Sequence, residues 1–401
     1  MVDLNLISEL SRISPSKIVL VVIDGLGGLP HPETGKTELE VAVTPNLDRL
    51  AARGVCGLAD IVSPGITPGS TPGHLAVFGY DPLRYNIGRG VLETAGIGFD
   101  IKPGDVATRG NFCTVDKAGL ITDRRAGRIS TEKGAELCAM LDKIRLEGVE
   151  LSVCPVIDHR FVVVFRGEDL YADVTDSDPQ QTEVAPEEIR ALQSRAEKAA
   201  RISNQFIAQA RKILADKPVA NMILLRGFSG KPEFPSLGDV YRLTPAAIAV
   251  YPMYRGLSGL MGMKVLETGP SIEEEFITLK QHYNNFDFFF FHVKGTDSAG
   301  EDGDYDRKVA VIEEFDGALS SLMGLNPDVI VVTGDHSSPA TFRGHSWHPV
   351  PTLLYSRWCR PDKVSGFSEF ACLGGGLGRF PATQIMPLAM ANALKLTKFG
   401  A

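Results

Sequence analysis

Only eight histidines occur in the chain, and four of them, His292, His336, His345 and His348, fall between residues 292 and 348, beside Asp297 and Asp335. Neutral imidazole mixed with carboxylate suits zinc or manganese far better than calcium, which prefers oxygen donors alone. Any one of these histidines taken singly is better explained as a packed or solvated side chain. The group reads differently because Asp24, Asp297 and Asp335 each stand at or just beyond the end of an apolar, strand-like run. Carboxylates ending three parallel strands repel one another unless a cation lies among them.

A serine extends this set. Ser70, in Pro68-Gly-Ser-Thr-Pro-Gly-His74, opens a short run that Gly79 terminates. Ser70 or Thr71 reads as a helix N-cap with Pro72 in the first turn. A serine there also stands where backbone N–H groups and the helix dipole favour phosphate. A metal on its Oγ would supply the missing base by lowering the hydroxyl pKa. No GxSxG elbow surrounds Ser70, which disfavours a Ser-His-Asp hydrolase. The glycine-rich stretches Gly25 to Pro30 and Gly374 to Gly378 lack both a complete GxGxxG and a GK[ST], and read as tight turns.

The elements that must position these residues follow the grammar of a parallel sheet. Lys17 to Gly25, Phe286 to Val293 and Asp328 to Thr333 are continuous apolar runs of the kind covered on both faces. Thr44-Pro-Asn-Leu-Asp48 onward to Gly54 predicts a helix with Thr44 as N-cap and Pro45 at its first position. The middle of the chain differs. Thr108 to Val115 and Arg160 to Phe165 read as amphipathic strands, and Pro186 to Asp216 as a helix whose Ile189, Leu192, Ala196, Ala199, Ile202, Phe206 and Ala210 form a packing stripe. The expectation is a discontinuous α/β core domain, residues 1–88 and 259–401, with a smaller α+β domain inserted as residues 89–258.

Composition bounds the classes. In 401 residues, 41 Lys plus Arg against 49 Asp plus Glu give a net charge of −8, with 44% hydrophobic and 22% charged residues. That is the ordinary globular range, and the absence of long basic runs argues against nucleic-acid or polybasic membrane binding. The six cysteines form no CxxC pair, and no leader-like or 18-residue apolar stretch appears, so the expected location is the cytoplasm.

The set Ile23-Asp-Gly25, Thr44-Pro-Asn-Leu-Asp48, Pro68-Gly-Ser70 through Asp81-Pro82, Thr296-Asp297, Thr333-Gly-Asp-His-Ser337 and Gly344 to Pro351, with Gly104 to Phe112 and Asp123 to Ile129, closely resembles the cofactor-independent phosphoglycerate mutases of the archaeal type, members of the alkaline phosphatase superfamily. The resemblance spans essentially the whole chain and implies an alkaline-phosphatase-like, mostly parallel sheet flanked by helices. It implies two divalent metal ions, manganese before magnesium, cobalt or zinc, with Asp24, Ser70, Asp335 and His336 on one ion and Asp297 and His345 on the other. One departure is visible, because Glu301 stands where the family pattern has histidine. As a harder ligand, a carboxylate there would tilt the site toward manganese or magnesium. The implied nucleophile is Ser70 and the implied intermediate a phosphoserine, in an exchange between 3-phosphoglycerate and 2-phosphoglycerate. Implied substrate-binding residues are Asp123, Arg124, Arg125, Arg128, His159, Arg160 and Arg255. The phosphoglycerate is the one small-molecule partner implied, and an oligomer is compatible with the sequence. Two alternatives are a phosphomonoester hydrolase of the same superfamily and a non-catalytic metal- or phosphate-binding relative; retention of Ser70 weighs against the second.

Overall fold

The computed structural model describes residues 3–85 and 87–400. It divides into two compact units, Met1–Asn86 with Phe234–Ala401, and Ile87–Glu233.

The first unit is built on an eight-stranded sheet. Its central strand, Ile18–Ile23, is wholly buried and runs parallel to Phe288–Val293 on one side and Val329–Thr333 on the other. Pro245–Ile248 and Lys264–Val265 continue the parallel arrangement beyond Phe288–Val293. On the opposite flank Val350–Ser356 runs antiparallel to both its neighbours, and Gly378–Pro381 closes the edge parallel to Val55–Asp60. Strands covered on both faces need no polar alternation, which is why these runs are continuously apolar. Residues 234–258 were expected in the inserted domain. They lie in the first unit instead, because Pro245–Ile248 forms a full ladder with Phe288–Phe291 and that pairing fixes the chain to the large sheet.

Helix Pro45–Ala51 begins at Thr44 as expected, yet Thr44 makes no side-chain cap. The exposed N–H groups of Asn46 and Leu47 are taken by the Asp316 carboxylate, at 3.2 and 2.7 Å, from helix Tyr305–Leu325. A carboxylate at a helix N-terminus satisfies orphan donors and complements the dipole at once.

The second unit is an antiparallel sheet with helices. Val106–Val115 pairs with Arg160–Arg166, Met222–Gly230 and Ile121–Asp123, and Glu150–Ile157 extends the far side. Helix Glu197–Leu214 starts about ten residues later than its composition suggests. Residues before it are irregular, with a bridge between Val174 and Ala191 and a 3-10 turn at Ser194–Ala196, so Leu192 falls off the stripe and is 66% exposed. Ala196, Ala199, Ile202, Phe206 and Ala210 remain buried against Phe165, Ile223 and Leu225. Among the described residues no helix is long and apolar enough to cross a membrane.

Phe206 is fully buried in that cluster and packs edge-on to Phe165 at 5.9 Å. Phe206→Ala should cost about 3–5 kcal/mol through lost burial and the cavity left behind. Urea denaturation measures this, and a change below about 1 kcal/mol would show that the helix is not packed as described.

Candidate active site

Parallel register brings the acidic residues together. Ile23 pairs with Val293 and Val22 with Thr333, so the three central strands end level. Asp24 follows directly on the first, Asp297 lies in the first turn of helix Gly295–Asp302 after the second, and Asp335 follows the third. Asp24 and Asp335 are fully buried and Asp297 is 1% exposed. The turn after Asp24 requires glycine for two reasons. Gly25 has φ +65°, and a Cβ there would stand 2.8 Å from Ser338 Cβ and 3.0 Å from the Asp297 backbone.

Ser70 is the first residue of helix Ser70–Val77, with Gly69 as N-cap, so its hydroxyl is not spent on capping. The helix sits against Asp335, and a Cβ on Gly73 would meet the Asp335 carbonyl oxygen at 2.3 Å. Two donor groups result. In one, His336 Nε2 lies 3.2 Å from Asp24 Oδ1, 3.2 Å from Asp335 Oδ2 and 3.5 Å from Ser70 Oγ. In the other, His345 Nε2 lies 3.5 Å and His336 Nε2 3.9 Å from Asp297 Oδ1. Each group offers atoms within 4.8 Å of one another. The His336 and His345 rings stack at 3.6 Å. His345 Nδ1 donates to the Pro68 carbonyl at 3.0 Å, because a carbonyl only accepts, and this leaves its Nε2 as an acceptor. Glu301 Oε1 lies 3.6 Å from that Nε2, with its side chain 55% exposed.

The fit to divalent cations is tested by the carboxylates. Asp24 Oδ1 and Asp335 Oδ2 are buried without a hydrogen-bond donor. Buried charge left unpaired is costly, and convergent acceptors with an imidazole lone pair are what a divalent ion takes. Burial works to raise the pKa of Asp24, yet the adjoining His292 and His336 rings and the charge of Lys294 outweigh it and hold that carboxyl well below its ordinary range. Asp335 is driven the opposite way, by burial and then by the Asp24 charge. Two carboxylates pushed apart this way are competing for too little positive charge.

Lys294, Tyr254 and His74, which the sequence did not single out, complete the surroundings together with His292 of the clustered histidines. Lys294 Nζ donates to Asp24 Oδ2 at 3.1 Å and also to Asp297 Oδ2, bridging the two groups. The Tyr254 hydroxyl donates to Asp24 Oδ2. His74 Nδ1 bonds the Ser70 carbonyl at 2.8 Å and lies 3.1 Å from Asp335 Oδ2. His292, stacked on Tyr254 at 3.7 Å, lies 3.4 Å from Asp24 Oδ2. Burial lowers the pKa of both His74 and His292 to about 4. Lys294 directly follows the strand that delivers Asp297, which is the signal that could have found it. Tyr254 carries no local signal at all. His348, counted with the four clustered histidines, joins neither group and bonds Ser346 Oγ at 3.1 Å.

The cations expected to bind substrate divide. Asp123 spends its carboxylate on the turn that follows, accepting from Arg125 N at 2.8 Å and from Gly127 N. Arg124 forms a two-pronged pair with buried Asp178, at 3.0 and 2.7 Å. Arg255, in the first unit, is held by Glu267 and by the Leu266 carbonyl at 3.2 Å. These three charges each have a partner within the fold. Arg125 and Arg128 are exposed around a turn in which Ala126, Gly127 and Arg128 all have positive φ. His159 and Arg160 belong to a cluster that also holds Arg89, Arg109 and Arg226, with Glu93 facing Arg109 and Asp178 lying 3.6 Å from Arg226. Arg109 pairs with Glu93 at 3.0 Å, while Arg160 Nε and His159 Nδ1 are buried without partners. His159 is driven down to about 4 by burial and then by Arg160, Arg109 and Arg125. Positive charge in excess of nearby carboxylate attracts anions. Arg89, Arg109 and Arg226 are distant in sequence, and only sheet pairing such as Arg109 with Arg226 joins them.

Comparison with solved structures gives the class. A protein of Pyrococcus horikoshii superimposes with a TM-score of 0.84 at 28% identity, covering 97% of this chain and 100% of the other. A cofactor-independent phosphoglycerate mutase of Thermoplasma acidophilum does so with a TM-score of 0.75 at 31% identity, covering 94% and 100%. The fold is that of the cofactor-independent phosphoglycerate mutases. A Thermus thermophilus protein named as a probable 2,3-bisphosphoglycerate-independent phosphoglycerate mutase is 49% identical over 400 residues, 98% of each chain, and the profile of that family matches residues 51–220. The chain belongs to the family of 2,3-bisphosphoglycerate-independent phosphoglycerate mutases.

Gly73→Ala tests the seating of the Ser70 helix on Asp335. The added Cβ has no room, and overpacking of this kind should cost about 1–3 kcal/mol. Thermal denaturation measures the cost, and an unchanged melting temperature would mean that the helix and the Asp335 backbone are not in contact.

Proposed function

We propose that this chain interconverts 3-phosphoglycerate and 2-phosphoglycerate without 2,3-bisphosphoglycerate, with Ser70 as nucleophile. The observation that carries this is the Ser70 hydroxyl itself, free of any capping role at a helix N-terminus and 3.5 Å from His336 Nε2, beside buried carboxylate oxygens that lack donors. A binding module would have no use for a nucleophile so placed.

Two divalent ions fit the donor groups, held by Asp24, Asp335, His336 and Ser70 and by Asp297, His345 and Glu301. When bound they would lower the pKa of the serine hydroxyl and neutralise phosphoryl charge. The carboxylate-rich set favours manganese or magnesium over zinc. Ser70 Oγ attacks phosphorus in line, the bond from phosphorus to the substrate oxygen breaks, and the leaving alkoxide takes up the proton that Ser70 released. The phosphoserine is then attacked by the other hydroxyl of the retained glycerate, and the serine is regenerated. Lys294 is placed to neutralise charge between the two carboxylate groups, and the helix N-terminus favours the phosphoryl oxygens. The substrate carries a carboxylate and a phosphate, and His159, Arg160, Arg109, Arg89 and Arg226, with exposed Arg125 and Arg128, are the cations proposed to hold them. Six free cysteines accord with a reducing, cytoplasmic setting.

The test is an enolase-coupled assay with manganese and 3-phosphoglycerate and no added bisphosphoglycerate. Formation of 2-phosphoglycerate is expected, and release of inorganic phosphate alone would replace the mutase by a phosphatase. Ser70→Ala should lower kcat by about 10³-fold or more, as loss of a nucleophile does. Retained activity would refute the phosphoserine route. Dialysis against a chelator should abolish turnover and manganese should restore it; activity that survives metal removal would exclude the two-ion site.

A further inference from the structure

His336 approaches the Ser70 group through one ring nitrogen, and a single hydroxyl holds the other. Ser338 is fully buried. Its Oγ lies 2.6 Å from Asp297 Oδ1 and 3.1 Å from His336 Nδ1. Serine has one O–H to give, and an ionised carboxylate can only accept. The proton therefore points at Asp297, and the oxygen is left to accept from His336. A neutral imidazole that donates from Nδ1 carries its lone pair on Nε2, the atom that lies 3.2 Å from both Asp24 Oδ1 and Asp335 Oδ2.

We propose that Ser338 is a positioning residue that couples the two donor groups, fixing the His336 tautomer and the Asp297 orientation with one hydroxyl. This rests on the reading of those groups as divalent-metal sites. Asp297 belongs to one group and His336 to both, so a change at Ser338 reaches both ions.

The hydroxyl is itself rigidly held. Ser338 N donates to the carbonyls of Gly25 and Gly27 at 3.3 and 3.1 Å, in the loop that follows Asp24. Its carbonyl accepts from Lys308 Nζ at 2.9 Å. Lys308, fully buried, also donates to Gly27 O at 3.0 Å and stands 3.8 Å from Glu38 Oε1. Helix Gly295–Asp302, which carries Asp297, packs directly on this residue, since a Cβ on Gly300 would meet Ser338 O at 2.0 Å. The backbone that carries this hydroxyl thus cannot shift without moving both loops. A side chain that orients metal-binding groups in this manner is worth about 10–100-fold in metal affinity.

The test is calorimetric titration of the metal-stripped, full-length protein with manganese chloride, comparing wild type, Ser338→Ala and Ser338→Thr, with melting temperature as a check on folding. Wild type is expected to bind two ions. Ser338→Ala should fold with little change in melting temperature and lose about 10-fold or more in affinity for both ions together, while Ser338→Thr, which keeps the hydroxyl, recovers most of it. Ser338→Ala within about twofold of wild type overturns the coupling while leaving the two-metal reading intact. Equal loss in both variants assigns the effect to packing and also overturns it. Wild type that binds no manganese overturns the two-metal reading and this inference with it.

Discussion

Three carboxylates brought to one buried sheet edge are the constraint on which the first unit turns. Asp24, Asp297 and Asp335 lie where parallel register puts them, and water is excluded from Asp24 and Asp335 completely. Such an arrangement is unstable in isolation, because desolvation and mutual repulsion both act against the charged forms. Several neighbours answer it with positive charge or a hydrogen-bond donor: Lys294 and Tyr254 on Asp24, Ser338 on Asp297 and Gly25 N on Asp335. Two acceptors still remain unmet. Convergent acceptors left unmet suit a divalent cation, and Ser70 Oγ lies beside them, 3.5 Å from His336 Nε2.

The same constraint explains the glycines and buried lysine behind the site. Gly25, Gly73 and Gly300 let three backbones approach the Asp335-to-Ser338 segment more closely than any side chain would allow. Lys308 ties the two loops through their carbonyls, with Glu38 as a distant counter-charge. Close backbone packing makes the donor positions rigid, and rigid placement of donors is what electrostatic catalysis requires. The second unit meets a parallel problem in reverse, with Arg89, Arg109 and Arg160 gathered around Glu93, and Arg226 set between Arg109 and Asp178. One unit gathers carboxylates and the other gathers arginines, so the net charge of −8 describes neither unit by itself.

Much of the fold was legible because buried parallel strands announce themselves as unbroken apolar runs. Ile18–Ile23, Phe288–Val293 and Val329–Thr333 are recovered to within two residues of expectation. The start of helix Glu197–Leu214 was not legible, since Pro186 to Arg195 has a helix-like composition while Ile189 and Ala191 are drawn into contacts with distant segments. Nor was the return of the chain at residue 234, because Pro245–Ile248 is too short a run to declare its partner.

For the site, the amino-acid sequence alone determined the chemistry on offer. Carboxylates at strand ends, clustered histidines and a serine opening a helix are local features, and local features survive in one dimension. What only the tertiary structure decided is how each charge is spent. Arg124, Arg255 and Asp123 look as available as Arg160, yet Asp178, Glu267 and a tight turn have already claimed them. Tyr254, Lys308 and Ser338 carry no signature, yet they hold the groups that do. The physical reason is that pairing and desolvation depend on distances of a few ångströms between residues hundreds of positions apart, and sheet register with close backbone packing, rather than sequence spacing, sets those distances.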